Sequence, residues 1–430
     1  MKHAVLVSRL FAPEPAAAAF RLEALVRALS ARGTDVTVLT SHARPGSPPA
    51  EDSAMQSRGR VRVRRASVLR DSSGYVRGYV PYMSFDGPAF FRLLSVRRPD
   101  VVVVEPPPTT GVIVRIACSL RRVPYVYYAA DIWSDAARST GSPSIVAAIL
   151  ARLEAWAMRG ARGVVAVSEG VEERVRELAG PGVEVAVVRN GIDTSVFHPP
   201  TPTDSAEFGA SARVRPSGGT NSRESTELGG SGERGVGAGR YFLYAGTASE
   251  WQGAEVFALA LERVRERHPE VGLVYLGSGS AWAGLHDLAE RAAPGAILMQ
   301  PPVGPAEAAR WHRGAVGALV SIVPGLGYDF ALPTKLFAAS ASGVPVIFAG
   351  PDATAAQVVE DGGLGIAVGH DPDAVAEAMV ALLEAPELSD PELLAARSAR
   401  LAAWTEEHAS IERVGERVAG LVARWAGEAE

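Results

Sequence analysis

Lys335 is the residue of this sequence whose type and position point most directly to chemistry. Lysine occurs only at positions 2 and 335, and the other 41 cationic side chains are arginine. Lys335 follows Pro333-Thr334, a pair typical of the start of a helix, so it falls in a predicted first turn. A cation there has the wrong sign for the helix dipole, but a bound phosphate would attract both the helix N–H groups and the ammonium. The position therefore predicts a phosphate-binding lysine, with an ordinary surface lysine as the alternative.

Further candidate binding residues lie in loops that follow predicted strands. In open parallel sheets, ligands bind beyond the carboxyl ends of the strands, where loops and helix N-termini present unpaired N–H groups. Small residues let a ligand approach closely, and aromatic residues in such loops can stack on a sugar. The candidates in these loops are Ala16, Ala17, Asp131, Trp133, Asn190, Gly246, Thr247, Gly277, Ser278, Gly279, Val303 and Asp329.

The elements that would position these residues follow a regular pattern. Short β-branched runs alternate with segments of helical period, which predicts parallel sheets covered by helices on both faces. The pattern restarts after residue 240, so it predicts two doubly wound units. The predicted strands are 4–10, 35–40, 100–106, 124–131, 163–168 and 183–188, then 241–246, 271–277, 296–300, 317–323, 344–350 and 365–368. The alternating RVRVR at 60–64 predicts an additional strand at a sheet edge.

The same pattern gives the predicted domain boundaries. Residues 1–195 form an N-terminal domain and residues 241–390 a C-terminal domain, each large enough for its own core. Residues 201–240 are rich in Gly, Ser and Thr and nearly lack large apolar residues, which predicts a flexible insertion. Residues 391–430 have helical period and could pack against either domain.

Composition narrows the compartment and the partners. The single cysteine, Cys118, cannot form an internal disulfide, which favours a reducing compartment such as the cytoplasm. No stretch reaches the eighteen consecutive apolar residues of a transmembrane helix. Residues 1–200 carry a net charge of +8 and the remainder −13, so the first half could face an anionic acceptor or a membrane surface, or its charges are simply solvated. No nucleic-acid partner is expected.

Five motifs, in order and at the right spacing, resemble a known family. They are VSEGV (167–171), RNGIDTSVFHP (189–199), YAGTASEWQG (244–253), VYLGSG (274–279) and ALPTKLFAASASGVPVI (331–347). They resemble the retaining glycosyltransferases of family 4, above all a bacterial branch that reads LPSKLFEYMAAGKPV at the last of these positions. The resemblance covers the chain apart from 201–240, and it implies the GT-B fold: two facing Rossmann-like α/β domains with an interdomain cleft.

The resemblance also implies roles for particular residues. The C-terminal domain would hold a nucleoside-diphosphate sugar, with UDP favoured over GDP or dTDP. Its base would lie near 277–279 and Val303, and its diphosphate near Gly246, Thr247 and Lys335. The N-terminal domain would take a secondary-metabolite or polyprenyl-linked acceptor between the 11–21 loop and Asp131. The remaining residues implied for these sites are Ala16, Ala17, Arg21, Trp133, Asn190, Asp329, Pro333 and Thr334.

The implied reaction is sugar transfer with retention, in which Lys335 and helix N–H groups stabilise the departing diphosphate without a metal or a cofactor. Asp131 and Lys335 are the expected catalytic pair, and the C-terminal helix is expected to return to the N-terminal domain. The sequence departs from the family at its usual pair of glutamates, because Phe330 and Ala338 stand in their places. Asp329, one position from the first of them, is the nearest carboxylate.

Two other functions fit the same fold. A nucleotide-sugar epimerase would need acid and base carboxylates that the sequence does not reveal, and a catalytically silent relative would explain the missing glutamates. The Asp371-x-Asp373 pair resembles a metal-diphosphate signature, but it precedes a predicted helix, where Asp is a common N-cap.

Overall fold

The structure, a computed structural model, divides the chain into two compact units. The first unit comprises Met1–Gly191 and His408–Glu430, and the second comprises Ile192–Glu407. The described residues are 1–14, 16–43, 59–70, 79–139, 143–201 and 240–427. The predicted flexible insertion at 201–240 therefore lies outside the described residues, apart from its two end residues, and it stays a prediction.

The first unit is built on a parallel sheet, as the alternating pattern predicts. Its strands, within the described residues, are His3–Val7 (β1), Asp35–Ser41 (β2), Val61–Ala66 (β3), Val101–Val104 (β4), Tyr125–Ala129 (β5), Gly163–Ala166 (β6) and Val185–Val187 (β7). They lie in the order β3-β2-β1-β4-β5-β6-β7. The order reverses between β1 and β4, the place where open α/β sheets bind ligands beyond the strand ends.

Side-chain patterns explain where these strands lie. The four valines of β4 are all buried, because helices cover both faces of a central parallel strand. β3 instead alternates, with Arg62 and Arg64 exposed, and it occupies the sheet edge as predicted. The predicted strand 4–10 ends earlier, at Val7. There the backbone N–H of Leu10 donates to the Ser8 hydroxyl at 3.2 Å, in a local turn that takes the chain off the sheet.

The helices of the first unit follow its strands in doubly wound order. They are Ala17–Ala31 (α1), Tyr79–Ser95 (α2), Pro108–Arg121 (α3), Trp133–Ser139 (α4), Ser144–Arg159 (α5) and Glu169–Ala179 (α6). α1, α3 and α4 are the next elements along the chain after β1, β4 and β5. Their first turns are therefore placed at the carboxyl edge of the sheet.

The second unit repeats the architecture. Its described strands are Tyr241–Thr247 (β8), Gly272–Ser278 (β9), Ile297–Gln300 (β10), Gly317–Ser321 (β11), Val346–Ala349 (β12) and Gly365–Val368 (β13), in the order β10-β9-β8-β11-β12-β13. Its helices are Glu255–Arg267 (α7), Trp282–Ala292 (α8), Pro305–Arg313 (α9), Thr334–Ala341 (α10), Thr354–Asp361 (α11) and Pro372–Leu383 (α12), with a short 3-10 turn at Pro386–Leu388. A large buried cluster lies under α7 and α12 and includes Phe242, Phe257 and Met379.

The C-terminal helical region is divided between the two units, whereas the sequence pattern predicts one helical segment over residues 391–430. Pro391–Ala409 (α13) packs on α10, where the hydroxyl of Thr405 donates to that of Ser340 at 2.8 Å. Ile411–Trp425 (α14) packs on α1 of the first unit. The division at Glu407 and His408 thus falls inside the predicted 391–430 block, and the first unit ends at Gly191 rather than 195.

Candidate functional site

Lys335 lies in the first turn of α10, at the carboxyl end of β8. Its Nζ donates to the hydroxyl of Tyr244 at 2.8 Å and to the backbone carbonyl of Thr247 at 3.0 Å. It also lies 4.0 Å from the centroid of the Tyr244 ring. An ammonium has three N–H groups, so one of them has no acceptor among the described residues. The lysine is thus held by neutral groups and keeps a donor for a ligand.

The surroundings of this ammonium favour its neutral, deprotonated form. None of its close contacts is a carboxylate, and the hydroxyl that it meets belongs to a fully buried tyrosine. Burial lowers the pKa of Lys335 from its ordinary value to about 7. A negatively charged ligand would reverse this effect, because a nearby anion favours the protonated form.

Three glycines bring the strand-end loops close together. A Cβ on Gly246 would lie 3.4 Å from Cε of Lys335. A Cβ on Gly277 would lie 2.0 Å from the carbonyl oxygen of Gly246, and one on Gly279 would lie 1.8 Å from that of Ala248. Gly246 and Gly277 have φ of 124° and 153°. The close approaches at Gly277 and Gly279 leave no room for a Cβ, and the positive φ of Gly246 favours glycine there too.

The other predicted donor-site residues surround the same strand ends to different degrees. Ser278 is the register partner of Thr247 in the sheet. Pro333 is the N-cap of α10 and Thr334 its first residue. Val303 packs on the apolar cluster around Leu243, which lies next to Tyr244 on β8.

Asp329 organises its own loop. Its Oδ1 accepts a hydrogen bond from the backbone N–H of Gly325 at 2.9 Å, which closes the 325–329 loop. Next to it, the ring of Tyr328 stacks on Trp251 with centroids 4.5 Å apart. In the described residues Asp329 makes no hydrogen bond to Lys335.

The positions of the absent glutamates differ in their surroundings. Ala338 is buried in an apolar cluster with Phe197, Ala309 and Ala341. Phe330 is half-buried and precedes α10 by a few residues. The alanine at 338 fits its neighbours well, because a carboxylate there would be surrounded by apolar side chains.

In the first unit, Arg21 belongs to a buried ion pair. Its Nη2 donates to Glu105, whose other oxygen accepts from the hydroxyl of Ser8 at 2.8 Å. The Arg21 guanidinium also lies 5.5 Å from the ring centroid of Tyr128. Ala16 is the N-cap of α1 and Ala17 its first residue. Arg21 is therefore a structural partner of Glu105 at the carboxyl end of β4.

The remaining predicted residues of this unit lie after β5 and after β7. Asp131 is exposed, yet the surrounding chain desolvates it and so raises the pKa of its carboxyl. Trp133 is half-buried, and its backbone N–H donates to the buried carboxylate of Glu154 at 2.7 Å. Asn190 lies in the first unit, and its Oδ1 is buried without a hydrogen-bond partner among the described residues.

Sequence reasoning missed Tyr244 and Glu105. Tyr244 lies inside the YFLYAG strand and contacts the ammonium of Lys335, which is 91 positions away. Glu105 directly follows β4 and pairs with Arg21 across 84 positions. A polar residue at the end of a buried strand indicates a candidate site residue. Glu105, which directly follows the four valines of β4, meets this criterion in the sequence.

The Asp-x-Asp pair is a helix cap, as its position predicts. Asp371 is the N-cap of α12, and its carboxylate accepts from the N–H of Ala374 at 3.0 Å. Asp373 pairs with Arg263. Among the described residues, no three His, Cys, Asp or Glu side chains lie close enough together to hold a metal ion. No described helix has the length and apolar character needed to cross a bilayer.

Two family models match the chain, one in each half. The model of a glycosyl transferase 4-like domain matches residues 17–191, and the model of glycosyl transferases group 1 matches residues 239–385. The chain is also similar to a D-inositol 3-phosphate glycosyltransferase of Xylanimonas cellulosilytica, with 32% identity over 225 residues. That match covers 51% of this chain and 48% of the relative, so it spans about half the length of the curated protein.

Solved structures resemble the whole fold. A sucrose-phosphate synthase from Thermosynechococcus elongatus has a TM-score of 0.70 at 15% identity, with 99% of both chains covered. The Anabaena protein HepE in complex with UDP-glucose has a TM-score of 0.67 at 15% identity, with 99% of this chain and 100% of that chain covered. At such identity the likeness shows the fold alone. Both halves of the chain thus match glycosyltransferase domain models, and the solved structures show that its fold is the GT-B fold.

Proposed function

We propose that this protein is a retaining, metal-independent glycosyltransferase of family 4 that takes its sugar from a nucleoside-diphosphate sugar, with UDP as the favoured nucleotide. The observation that carries the proposal is the Lys335 ammonium, held beside Gly246 and Thr247 in the first turn of α10. That turn offers backbone N–H groups to the same anion. HepE, which has this fold, was solved with UDP-glucose, and this supports the choice of nucleotide.

In the proposed reaction, charge develops on the diphosphate as its bond to the anomeric carbon breaks. The Lys335 ammonium and the N–H groups of α10 stabilise that charge, a contribution of about 3 kcal/mol for one well-placed donor. Gly277, Ser278, Gly279 and Val303 would line the base, and Pro333 and Thr334 the diphosphate. No cofactor is needed, since the leaving group needs only electrostatic stabilisation.

The first unit is proposed to bind the acceptor through Ala16, Ala17, Trp133 and Asp131, with Arg21 held behind them by Glu105. The acceptor class remains a secondary-metabolite scaffold or a polyprenyl-linked glycan. Apolar side chains on neighbouring helices of this unit support contact with a membrane that carries such an acceptor. The most exposed are Phe91, Leu120 and Ile145, at 70%, 67% and 69%.

The proposal is tested by nucleotide release. The full chain, incubated with UDP-glucose, UDP-N-acetylglucosamine, GDP-mannose and dTDP-glucose, is expected to release the nucleoside diphosphate from a UDP-sugar, at the same rate with and without EDTA. Slow hydrolysis without an acceptor suffices as the signal. If no donor is cleaved and none shifts the melting temperature, the chain is a silent relative. An EDTA-sensitive rate would overturn metal independence.

Binding of UDP is expected to weaken as pH rises above about 7. Free Lys335 loses its proton near that pH, because burial lowers its pKa to about 7, whereas the diphosphate raises the pKa again in the complex. UDP must then be bound together with a proton, so affinity falls up to about tenfold per pH unit between pH 7 and 9. This range lies above the second phosphate ionisation, at about pH 6.

Isothermal titration calorimetry in buffers of different ionisation enthalpy measures this proton uptake, which should approach one proton at pH 8.5. In Lys335→Met, the uptake should vanish and the affinity should become nearly independent of pH over the same range. Equal UDP affinity at pH 7 and pH 9 in the unsubstituted protein would contradict the assignment of the diphosphate to Lys335.

A further inference from the structure

Four side chains of the first unit form a polar and aromatic group, and the roles proposed above use only one of them, Trp133. We call Arg9, Tyr82, Asp86 and Trp133 the Arg9 cluster. Arg9 follows β1, Trp133 begins α4 directly after β5, and Tyr82 and Asp86 lie one turn apart on α2. The hydroxyl of Thr110, on α3 after β4, donates to Oδ1 of Asp86 at 2.6 Å. The cluster thus lies at the carboxyl ends of three adjacent strands, at the switch point of the sheet.

Aromatic rings hold the Arg9 guanidinium in place. Its Cζ lies 4.4 Å from the ring centroid of Tyr82 and 5.9 Å from that of Trp133. The two rings meet edge to face, with centroids 5.4 Å apart. Arg9 is 9% exposed, so the rings and the neighbouring chain remove most of its contact with water.

The cluster contains buried donors and a buried acceptor without partners. Nε and Nη1 of Arg9 and Oδ2 of Asp86 have no hydrogen-bond partner among the described residues. Such atoms lose their hydration without compensation, which is costly in a folded protein. Thr110 satisfies only Oδ1 of Asp86, so a ligand that accepts from Arg9 and donates to Oδ2 of Asp86 would satisfy the remaining atoms.

The charges around the cluster exclude a purely anionic ligand group. Arg9 and Asp86 have opposite charges, and the neighbouring Arg21 is neutralised by Glu105. Asp131 adds a further carboxylate near Arg21. No cationic surplus therefore remains for a phosphate or a carboxylate. A hydroxyl group, by contrast, accepts from a guanidinium and donates to a carboxylate, and the apolar face of a ring packs on aromatic side chains.

We infer that the Arg9 cluster binds a neutral ring with neighbouring hydroxyl groups, a sugar or a cyclitol, as the part of the acceptor that enters the first unit. This inference rests on the proposed function, because it assigns the acceptor of the same reaction. It also narrows the anionic acceptor suggested by the charge of residues 1–200. Any charged or lipid portion must lie outside the cluster, and the hydroxylated ring is what Arg9 and Asp86 recognise.

The test measures binding directly, without turnover. The full chain, with and without saturating UDP, is titrated with D-glucose, N-acetyl-D-glucosamine and myo-inositol, and with glucose 6-phosphate and D-glucuronate, by ligand-observed NMR. At least one neutral ring is expected to bind, and the anionic forms at least tenfold more weakly. Tighter binding of the anionic forms, or no binding of any neutral ring, overturns the inference.

Variants separate recognition from structure. Arg9→Met and Asp86→Asn are expected to weaken ring binding at least tenfold and to leave UDP affinity within twofold. Arg9→Met removes the cation near buried Asp86 and its contacts with two rings, so its melting temperature is expected to fall by a few degrees while ring binding is lost. Arg27→Met, on the exposed side of α1, is the matched control and should change nothing. Melting several degrees lower with unchanged ring binding would make Arg9 structural and overturn the inference.

The two proposals fail separately. UDP binding with no bound ring would remove the acceptor assignment alone. Ring binding in a protein that binds and cleaves no nucleotide sugar would remove the proposed donor chemistry, while the Arg9 cluster would remain a site for hydroxylated rings.

Discussion

Lys335→Arg is expected to lower the turnover number of sugar transfer or donor hydrolysis nearly as much as Lys335→Ala, by about 10²–10³-fold. The ammonium fits between the Tyr244 hydroxyl at 2.8 Å and the Thr247 carbonyl at 3.0 Å, with Gly246 against its stem. A guanidinium is a wide planar fork and cannot occupy that space while it directs a donor at a phosphate. The measurement is the initial rate over a range of donor concentrations.

The chain supplies its own control for this experiment. Lys2, the other lysine, has an exposed side chain and belongs to the first unit, whereas α10 belongs to the second, so Lys2→Arg should keep full activity. A loss in turnover without a comparable rise in the Michaelis constant would mark Lys335 as a group that stabilises the transition state. If Lys335→Arg were as active as the unsubstituted protein, the chemical role given to the ammonium would be wrong.

The fold could be predicted because each element carries its own signal. A run such as VVVV in β4 indicates a strand buried on both faces, and the alternation in β3 indicates an edge. The ends of strands are harder to predict than their centres. Ser8 turns the chain off the sheet through side-chain hydrogen bonds, and the spacing of apolar residues does not reveal such bonds. The break in the C-terminal helices had a local signal, since Ser410 caps α14 by accepting from the N–H of Arg413. The apolar residues on both sides of Ser410 have helical spacing, so the sequence pattern predicts one continuous helical block there.

The candidate site could be predicted only in part. The positions of Lys335, Gly246 and Gly277 after strands predict them as site residues. In the structure, the backbones of Gly246 and Gly277 approach so closely that no Cβ fits on Gly277. Their partners could not be read from the sequence, because contact with Tyr244 depends on how α10 returns to β8. The Arg9 cluster is harder still. Its members come from the loop after β1, from the start of α4 and from α2, and only the burial of their unsatisfied atoms distinguishes them from ordinary surface polar residues.

Gly277→Ala is expected to be strongly destabilising for a change that adds a single methyl group at the donor site. The added Cβ would lie 2.0 Å from the carbonyl oxygen of Gly246, a backbone atom that the β8–β9 pairing holds in place, at a φ of 153°. Relief requires Gly246 to move, and a shift there would disturb Lys335, since a Cβ placed on Gly246 would lie 3.4 Å from its Cε. We expect a loss of about 3 kcal/mol of stability and at least tenfold weaker UDP binding.

Thermal denaturation and calorimetric titration with UDP check both expectations on the same samples. The matched control is Gly284→Ala, in the exposed first turn of α8, where an added Cβ meets nothing within 4 Å. That change should raise stability by about 0.5–1 kcal/mol, because alanine is the better helix former. Both variants add one methyl group to the second unit, so a difference between them measures the effect of the clash between the new Cβ and the Gly246 carbonyl. If Gly277→Ala melts and binds UDP as the parent does, then β8 and β9 do not meet as tightly as the donor site requires.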